Sequence, residues 1–229
     1  MTIAVIGTGK TGQHVVRLAE KAGERVLAFD ESRKPTASAL AEADVAVIFV
    51  PGDAAEELLD PLLEAGIPAA WGTTGFDWPN DLPDRVKQAG TRWIIAPNFS
   101  LGMNLIRRCL EILGRGAARL LEDPEFHIHE VHHIHKKDAP SGTALKWQEW
   151  LSLGEEVSIS SSREGDVNGV HSLHVKTPFE SIWIKHEAHD RAIFAEGALW
   201  AATYLVNDRS VRPGIYRFET IIDEVFDKE

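Results

Sequence analysis

The sequence predicts an α/β protein in two parts: a doubly wound parallel sheet, then a second unit of α+β type. Three observations carry this. Over the first hundred residues, short apolar runs alternate with segments of helical spacing, the pattern of parallel strands covered on both faces. A glycine-rich loop, Gly7-Thr8-Gly9-Lys10-Thr11-Gly12, follows the first run directly. After Pro97 the strands come in a group and no longer alternate with helices.

Taken in order, Thr2–Ile6, Arg25–Phe29, Val45–Val50, Ala69–Trp71 and Trp93–Ala96 read as strands, with helices over Gln13–Ala22 and Ala54–Ala65. Beyond residue 100 the spacing predicts a helix over Met103–Leu113, a histidine-rich strand and a helix over Thr143–Leu151. Strands follow near Val157–Ser161, Ser172–Lys176 and Ile182–His186, then a long helix, Ala192–Leu205, and a closing segment, Tyr216–Val225. Cys109 sits in the first of these helices and reads as a buried, inert thiol.

Composition excludes whole classes. The 229 residues carry 24 Lys and Arg against 35 Asp and Glu, a net charge of −11 at pH 7, which disfavours neutralising nucleic-acid phosphates. The longest apolar run, Val45–Val50, is far short of the ~18 residues of a membrane span, and the opening Met1-Thr2-Ile3 lacks a cationic lead. A single cysteine forms no intrachain disulfide. The expectation is a soluble cytoplasmic protein with neither nucleic acid nor membrane as partner.

The glycine loop sits where a strand turns into a helix. One glycine suits the tight turn, a second lets backbone approach a pyrophosphate, and a third lets helix pack on strand; the helix N-terminus offers N–H groups to phosphate. In that setting Gly7, Thr8, Gly9, Lys10, Thr11 and Gly12 are candidate contacts of a dinucleotide in a Rossmann-type domain. Asp30, at the end of the second strand, is placed to accept hydrogen bonds from an adenosine ribose, which favours NADH. Lys10, Arg33 and Lys34 lie close in sequence and keep NADPH open. The loops Gly72-Thr73-Thr74-Gly75 and Ala96-Pro97-Asn98-Phe99-Ser100 end strands at the sheet's carboxyl edge. That position permits nicotinamide contacts, although each also reads as a plain turn with Asn98 or Ser100 capping the next helix.

Of ten histidines, five lie between His127 and His135, followed by Lys136 and Lys137. The run is Glu130-Val131-His132-His133-Ile134-His135-Lys136-Lys137-Asp138-Ala139-Pro140-Ser141-Gly142-Thr143-Ala144. It resembles the signature of the dihydrodipicolinate reductase family, the 4-hydroxy-tetrahydrodipicolinate reductases of the diaminopimelate route to lysine. The Gly72–Gly75 and Ala96–Ser100 loops resemble that family's nicotinamide-contacting loops. Arg163-Glu164-Gly165-Asp166-Val167-Asn168-Gly169 with His171, and the stretch from His186 to Ala198, resemble its C-terminal half. Two departures stand out: the glycine loop is one residue shorter and holds Lys10-Thr11 where Arg-Met is common, and the region 154–185 is short.

The resemblance implies hydride transfer from NAD(P)H to a cyclic imine-type dicarboxylate. His132 matches the general acid, Lys136 the lysine that supports proton donation, and His133 a carboxylate ligand. Gly142 and Thr143, at a predicted helix start, would hold a carboxylate on their N–H groups. The resemblance also implies a homotetramer joined through the second domain's sheet, and a return of the last residues to the first domain. The expected domains are therefore 1–101 with 206–229, and 102–205. Closure about hinges near 98–103 and 205–210 is expected with them. Two rivals stay in view: a dinucleotide sensor without turnover, and a zinc site of three imidazoles drawn from His127, His129, His132, His133 and His135, which the neighbouring lysines oppose. No metal is expected. Arg163 and Arg191 are left open between substrate, interface and surface.

Overall fold

The computed structural model describes residues 1–154 and 157–227, excepting the side chain of Ala118. Two compact units emerge, residues 1–101 with 191–229 and residues 102–190.

The first unit is built on six parallel strands: β1 (Thr2–Ile6), β2 (Arg25–Phe29), β3 (Val45–Ile48), β4 (Ala69–Trp71), β5 (Arg92–Ile95) and β10 (Gly214–Arg217). Their order is β10-β5-β4-β3-β1-β2. Successive side chains of a strand point to opposite faces, so Ile3 and Val5 join one core while Ala4 and Ile6 join the other. The first core is covered by α1 (Gly12–Lys21), α7 (Ala192–Asn207) and α8 (Phe218–Asp227). The second is covered by α2 (Ala37–Leu40), α3 (Glu56–Ala65) and α4 (Leu82–Gln88). Burial on both faces is why the strands read as near-continuous apolar runs.

The expected second domain included residues 192–205, and the structure corrects this. Helix α7 packs on α1 and on β3, β4 and β5. Ala195, Ala198, Ala201, Ala202 and Leu205 form its buried face, and small residues let a helix lie close to a sheet. At Gly197 the approach is closest, since a Cβ there would stand 1.7 Å from the Phe99 carbonyl oxygen. The closing segment also divides in two, β10 and then α8. Strand β10 is four residues long and finds its partner β5 far earlier in the chain.

The second unit holds α5 (Leu101–Leu120, from the unit boundary), β6 (Glu125–His132), α6 (Gly142–Leu151), β7 (Ser158–Arg163), β8 (Val170–Lys176) and β9 (Ser181–Glu187). The sheet order is β7-β6-β8-β9, with β7 parallel to β6 and the other pairs antiparallel. Helix α5 runs seven residues past its expected end (120 against 113). Gly114, which looks like a stop signal, is a packing residue: a Cβ there would lie 1.9 Å from the Leu151 carbonyl oxygen, at the end of α6. Met103, Arg107, Leu110 and Ala117 are buried along α5. Cys109 falls on the opposite side of the helix and is exposed, contrary to the expected burial.

Candidate active site

In the first unit, the loop between β1 and α1 is shaped by glycines whose neighbours leave no room for a side chain. Gly7 has φ of +88°, and a Cβ on it would lie 2.3 Å from the Phe49 carbonyl oxygen; one on Gly12 would lie 1.8 Å from the Gly7 oxygen. Gly9 differs, having open space where its side chain would be. Together with Thr8, Asp30, Ser32, Lys34 and Pro51, the loop lines a cleft of about 780 Å³, within the usual size of a small-molecule site. Lys10 is exposed, and Thr11 immediately precedes α1.

Asp30 both makes a turn and faces the cleft. Its Oδ1 accepts from Ser32 N (2.9 Å), Ser32 Oγ (2.6 Å) and Arg33 N (3.2 Å), while Oδ2 accepts from Thr8 Oγ1 at 3.3 Å. Those donors, led by the Ser32 hydroxyl, hold the carboxyl below the usual carboxylate range. The two nearby cations are engaged: Lys34 Nζ is 2.9 Å from Glu57 Oε2, and the Arg33 guanidinium lies 4.9 Å from the Phe29 ring centre.

The other two loops follow β4 and β5. Gly72 abuts the Phe49 ring, which a Cβ would meet at 2.1 Å. Thr73 is buried and its hydroxyl lacks a partner within the protein, whereas Thr74 is exposed. Ala96 N donates to the Trp71 oxygen, and Pro97 follows at the surface. Asn98 Oδ1 accepts from Ser100 N at 2.8 Å, ahead of α5. Phe99 is a core residue, with ring contacts to Phe49 and Phe218. The structure thus assigns Asn98 a turn-stabilising bond and Phe99 a packing role, independent of any ligand.

In the second unit, register explains the chemistry. Residues Ile159, Ile128, Leu173 and Ile184 face each other across the four strands and join one core. Two residues along, on the same faces, the row becomes Ser161, Glu130, His171 and His186. The next position on β6 is His132, paired with Arg163 of β7. A buried apolar surface therefore ends in a line of polar and titratable groups.

Glu130 is fully buried. Its Oε1 accepts from Ser141 N (3.1 Å) and from Arg163 Nη2 (3.2 Å). Its Oε2 lies 2.7 Å from His132 Nδ1, in ion-pair contact but out of line for a hydrogen bond, and 3.9 Å from His171 Nε2. Burial alone would raise the Glu130 carboxyl, but hydrogen bonds from Ser141 and Ser161 and the charges of His132 and Arg163 outweigh it and hold it at about 2. Burial pushes His132 down, and the Lys136 and Arg163 charges add to this while Glu130 opposes them. His171 is pushed down to about 4, again chiefly by burial.

Lys136 lies in the loop after β6, its Nζ 2.8 Å from Asp138 Oδ1. Arg163, undecided in the sequence, clamps that loop: it donates to the carbonyl oxygens of Lys136 (3.3 Å) and Asp138 while holding Glu130. His133 leaves the strand with a buried, unpartnered Nδ1, and its ring is 6.2 Å from that of His135. Ser141 caps α6, accepting from Ala144 N at 3.2 Å. Gly142 and Thr143 form the first turn, where helix N–H groups lack intrahelical acceptors, and there is open space beside Gly142.

His127 and His129 occupy the opposite face, hydrogen-bonded to Ser158 and Ser160 of β7, so they do not join His132 in a three-imidazole zinc site; among the described residues the donors gathered with His132 are Glu130 and His171. Among the described residues, the site gives a place to three residues that the sequence showed only as part of the resemblance: Glu130 and His171, both buried, and the half-buried Arg163. A detectable signal was present: on the inward face of β6, the alternation Ile128, Glu130, His132 puts a carboxylate where an apolar residue belongs.

Comparison with known proteins gives one answer. Residues 1–99 match the family model described as dihydrodipicolinate reductase, N-terminus, and residues 102–222 match that of the C-terminus. The chain is 34% identical to the 4-hydroxy-tetrahydrodipicolinate reductase of Methanopyrus kandleri, covering 95% of this chain and 80% of that one. It is 30% identical to the enzyme of that name from Christiangramia forsetii, covering 99% of both. The fold is similar to a solved dipicolinate-bound dihydrodipicolinate reductase from Paenisporosarcina sp. TG-14, with a TM-score of 0.72 at 18% identity over 96% of this chain and 99% of the other.

Proposed function

The chain belongs to the dihydrodipicolinate reductase family, and on that premise we propose that it reduces 4-hydroxy-tetrahydrodipicolinate to tetrahydrodipicolinate with a nicotinamide cofactor, in the diaminopimelate route to lysine. The observation that carries this reading is one buried carboxylate, Glu130, which contacts His132, takes the Ser141 N–H at the start of α6, and is tied through Arg163 to the backbone of the loop that bears Lys136.

The substrate loses its 4-hydroxyl as water to give dihydrodipicolinate, and a bound nicotinamide would then supply hydride to a ring carbon. The chain's residues do the rest. The first-turn N–H groups of Gly142 and Thr143 and the His133 imidazole bind the substrate carboxylates, using the positive end of a helix and a hydrogen-bond donor. His132 gives up a proton to the enamine-like anion left by reduction. Lys136 stabilises the developing negative charge as a compact ammonium, held near the site by Asp138.

The residues of the first unit fit a dinucleotide. Open space over Gly9, the cleft beside Asp30 and the orphaned Thr73 hydroxyl are the features such a ligand would use. The pyrophosphate is assigned to the loop Gly7–Gly12, the ribose to Asp30, and the nicotinamide to Gly72, Thr73, Thr74 and the backbone of Ala96–Phe99. NADH is the favoured cofactor. Asp30 repels a 2′-phosphate, while Glu57 neutralises Lys34, leaving less positive charge for NADPH.

The protein is further proposed to be a cytoplasmic homotetramer joined through the outer sheet face of the second unit. There exposed Trp183 stacks on His174 at 3.9 Å. No helix among the described residues is long and apolar enough to cross a membrane.

The test is loss of NADH and NADPH absorbance with freshly generated substrate, for wild type and Lys136→Ala, with and without chelator. Chelator-resistant oxidation that the variant lacks supports the reductase. A folded wild type that binds NADH but oxidises none would overturn it in favour of a sensor, and loss of activity with chelator would restore the metal reading.

A further inference from the structure

A buried carboxylate costs several kcal/mol of desolvation unless its oxygens are well satisfied. Glu130 is satisfied on one oxygen, and the other faces His132. We propose that Glu130 is a positioning residue for His132: clamped by Ser141 and Arg163, it holds the imidazole from the Nδ1 side and leaves Nε2 as the proton-donating nitrogen. This rests on the reductase reading.

The geometry supports each part. Oε1 takes the Ser141 N–H and the Arg163 guanidinium, so the carboxylate cannot swing. Oε2 is then fixed 2.7 Å from His132 Nδ1. On the far side of the ring, a Cβ on Gly169 would lie 3.1 Å from Nε2, so the missing side chain leaves that nitrogen a free flank. His171 backs the pair, its ring edge-on to that of His132 at 5.0 Å and its Nε2 3.2 Å from Ser141 Oγ. Kept neutral by burial, it does not compete for the Glu130 charge.

The groups facing His132 set the sign of the effect. They are Glu130 on its own strand, Arg163 on β7, His171 on β8 with His186 of β9 behind it, and Lys136 on the following loop. Helix α6 contributes the neutral Ser141 and Trp147 to this side. Glu130 is the anion among them, and so the group that favours the imidazolium a proton donor requires.

Glu130→Gln keeps an oxygen for the Ser141 N–H and removes the charge. The alkaline limb of the kcat/KM profile, where His132 loses its proton, is expected to move to lower pH by about one unit or more, with NADH affinity unchanged. Glu130→Asp, retracted by one methylene, is expected to place the limb between the two, and it serves alone should the glutamine variant not fold. An NMR titration of His132 in the free protein is expected to follow the same order without turnover. Activity that falls while neither limb nor titration moves would make Glu130 a mere anchor for Ser141 and Arg163 and overturn the proposal. A wild type inactive on the substrate would instead sink the reductase reading, and the NMR titration would still decide this one.

Discussion

The two units hold their functional atoms by opposite means. In the first, β1 to β5 are apolar to their carboxyl ends, and the proposed recognition falls to the backbone of a glycine turn and one exposed carboxylate, Asp30. In the second, an apolar row turns polar within two residues, and the proposed proton chemistry falls to side chains that are themselves buried, His132 with Glu130 and His171 around it. A backbone site has little to lose by side-chain exchange and much to lose from one added Cβ. A buried side-chain site is the reverse: its groups act through charge, and charge is where it fails.

The sharpest break is Lys136→Ala. Turnover is expected to fall by about 10²- to 10⁴-fold, while NADH affinity, proposed to be set in the other unit, is expected to stay within about twofold by fluorescence titration. Equal loss of both would mean the division of labour is wrong. Gly12→Ala tests the opposite half, because its Cβ would meet the Gly7 oxygen at 1.8 Å. NADH affinity should drop by about a hundredfold, and thermal stability by about 2–3 kcal/mol for the forced backbone shift, with the His132 titration unchanged. Intact NADH binding would show that the loop has slack the glycines do not suggest.

Acid is the next probe. His171 sits at about 4 against its ordinary 6.5, so the unfolded chain binds the extra proton as pH falls through that window and stability declines. Glu130 sits at about 2 against 4.5, so its contribution is complete above 4.5 and lost on the way down to 2. Each amounts to about 3 kcal/mol at most. Chemical denaturation at pH 7 and pH 4 should show the loss, and His171→Phe should flatten its upper part; an unchanged slope would place the acid sensitivity elsewhere. The smallest effect is Asp30→Ala, expected to weaken NADH over NADPH by about tenfold. A constant ratio of the two affinities would remove Asp30 from the ribose.

What the sequence disclosed follows from the same contrast. Backbone turns write themselves into short strings: strand, glycines and helix start are contiguous, so the turn over Gly7 to Gly12 and the place of Asp30 after β2 are legible. His132, Lys136 and the Ser141 cap were legible for the same reason, being neighbours on one stretch. Arg163 and His171 stood out only through the resemblance, and their closeness to Glu130 was not legible, because it depends on the register of β7 and β8, which pairing partners fix and local pattern does not. Helix α7 was misassigned on similar grounds. An alanine-rich helix carries no mark of which sheet it will cover, and only Gly197 against Phe99 reveals it.

That helix has a consequence for how the protein is made. As residues 1–101 leave the ribosome, five strands are present, but one sheet face has only α1 to cover it and the edge beside β5 is bare. The lid of that face and the sixth strand arrive after the whole of residues 102–190 has been synthesised. The inserted unit has a core of its own and is able to settle first, leaving the earlier segment waiting with exposed apolar surface. The segment synthesised first is therefore the one completed last, and its exposed apolar face is where a chaperone would be expected to bind.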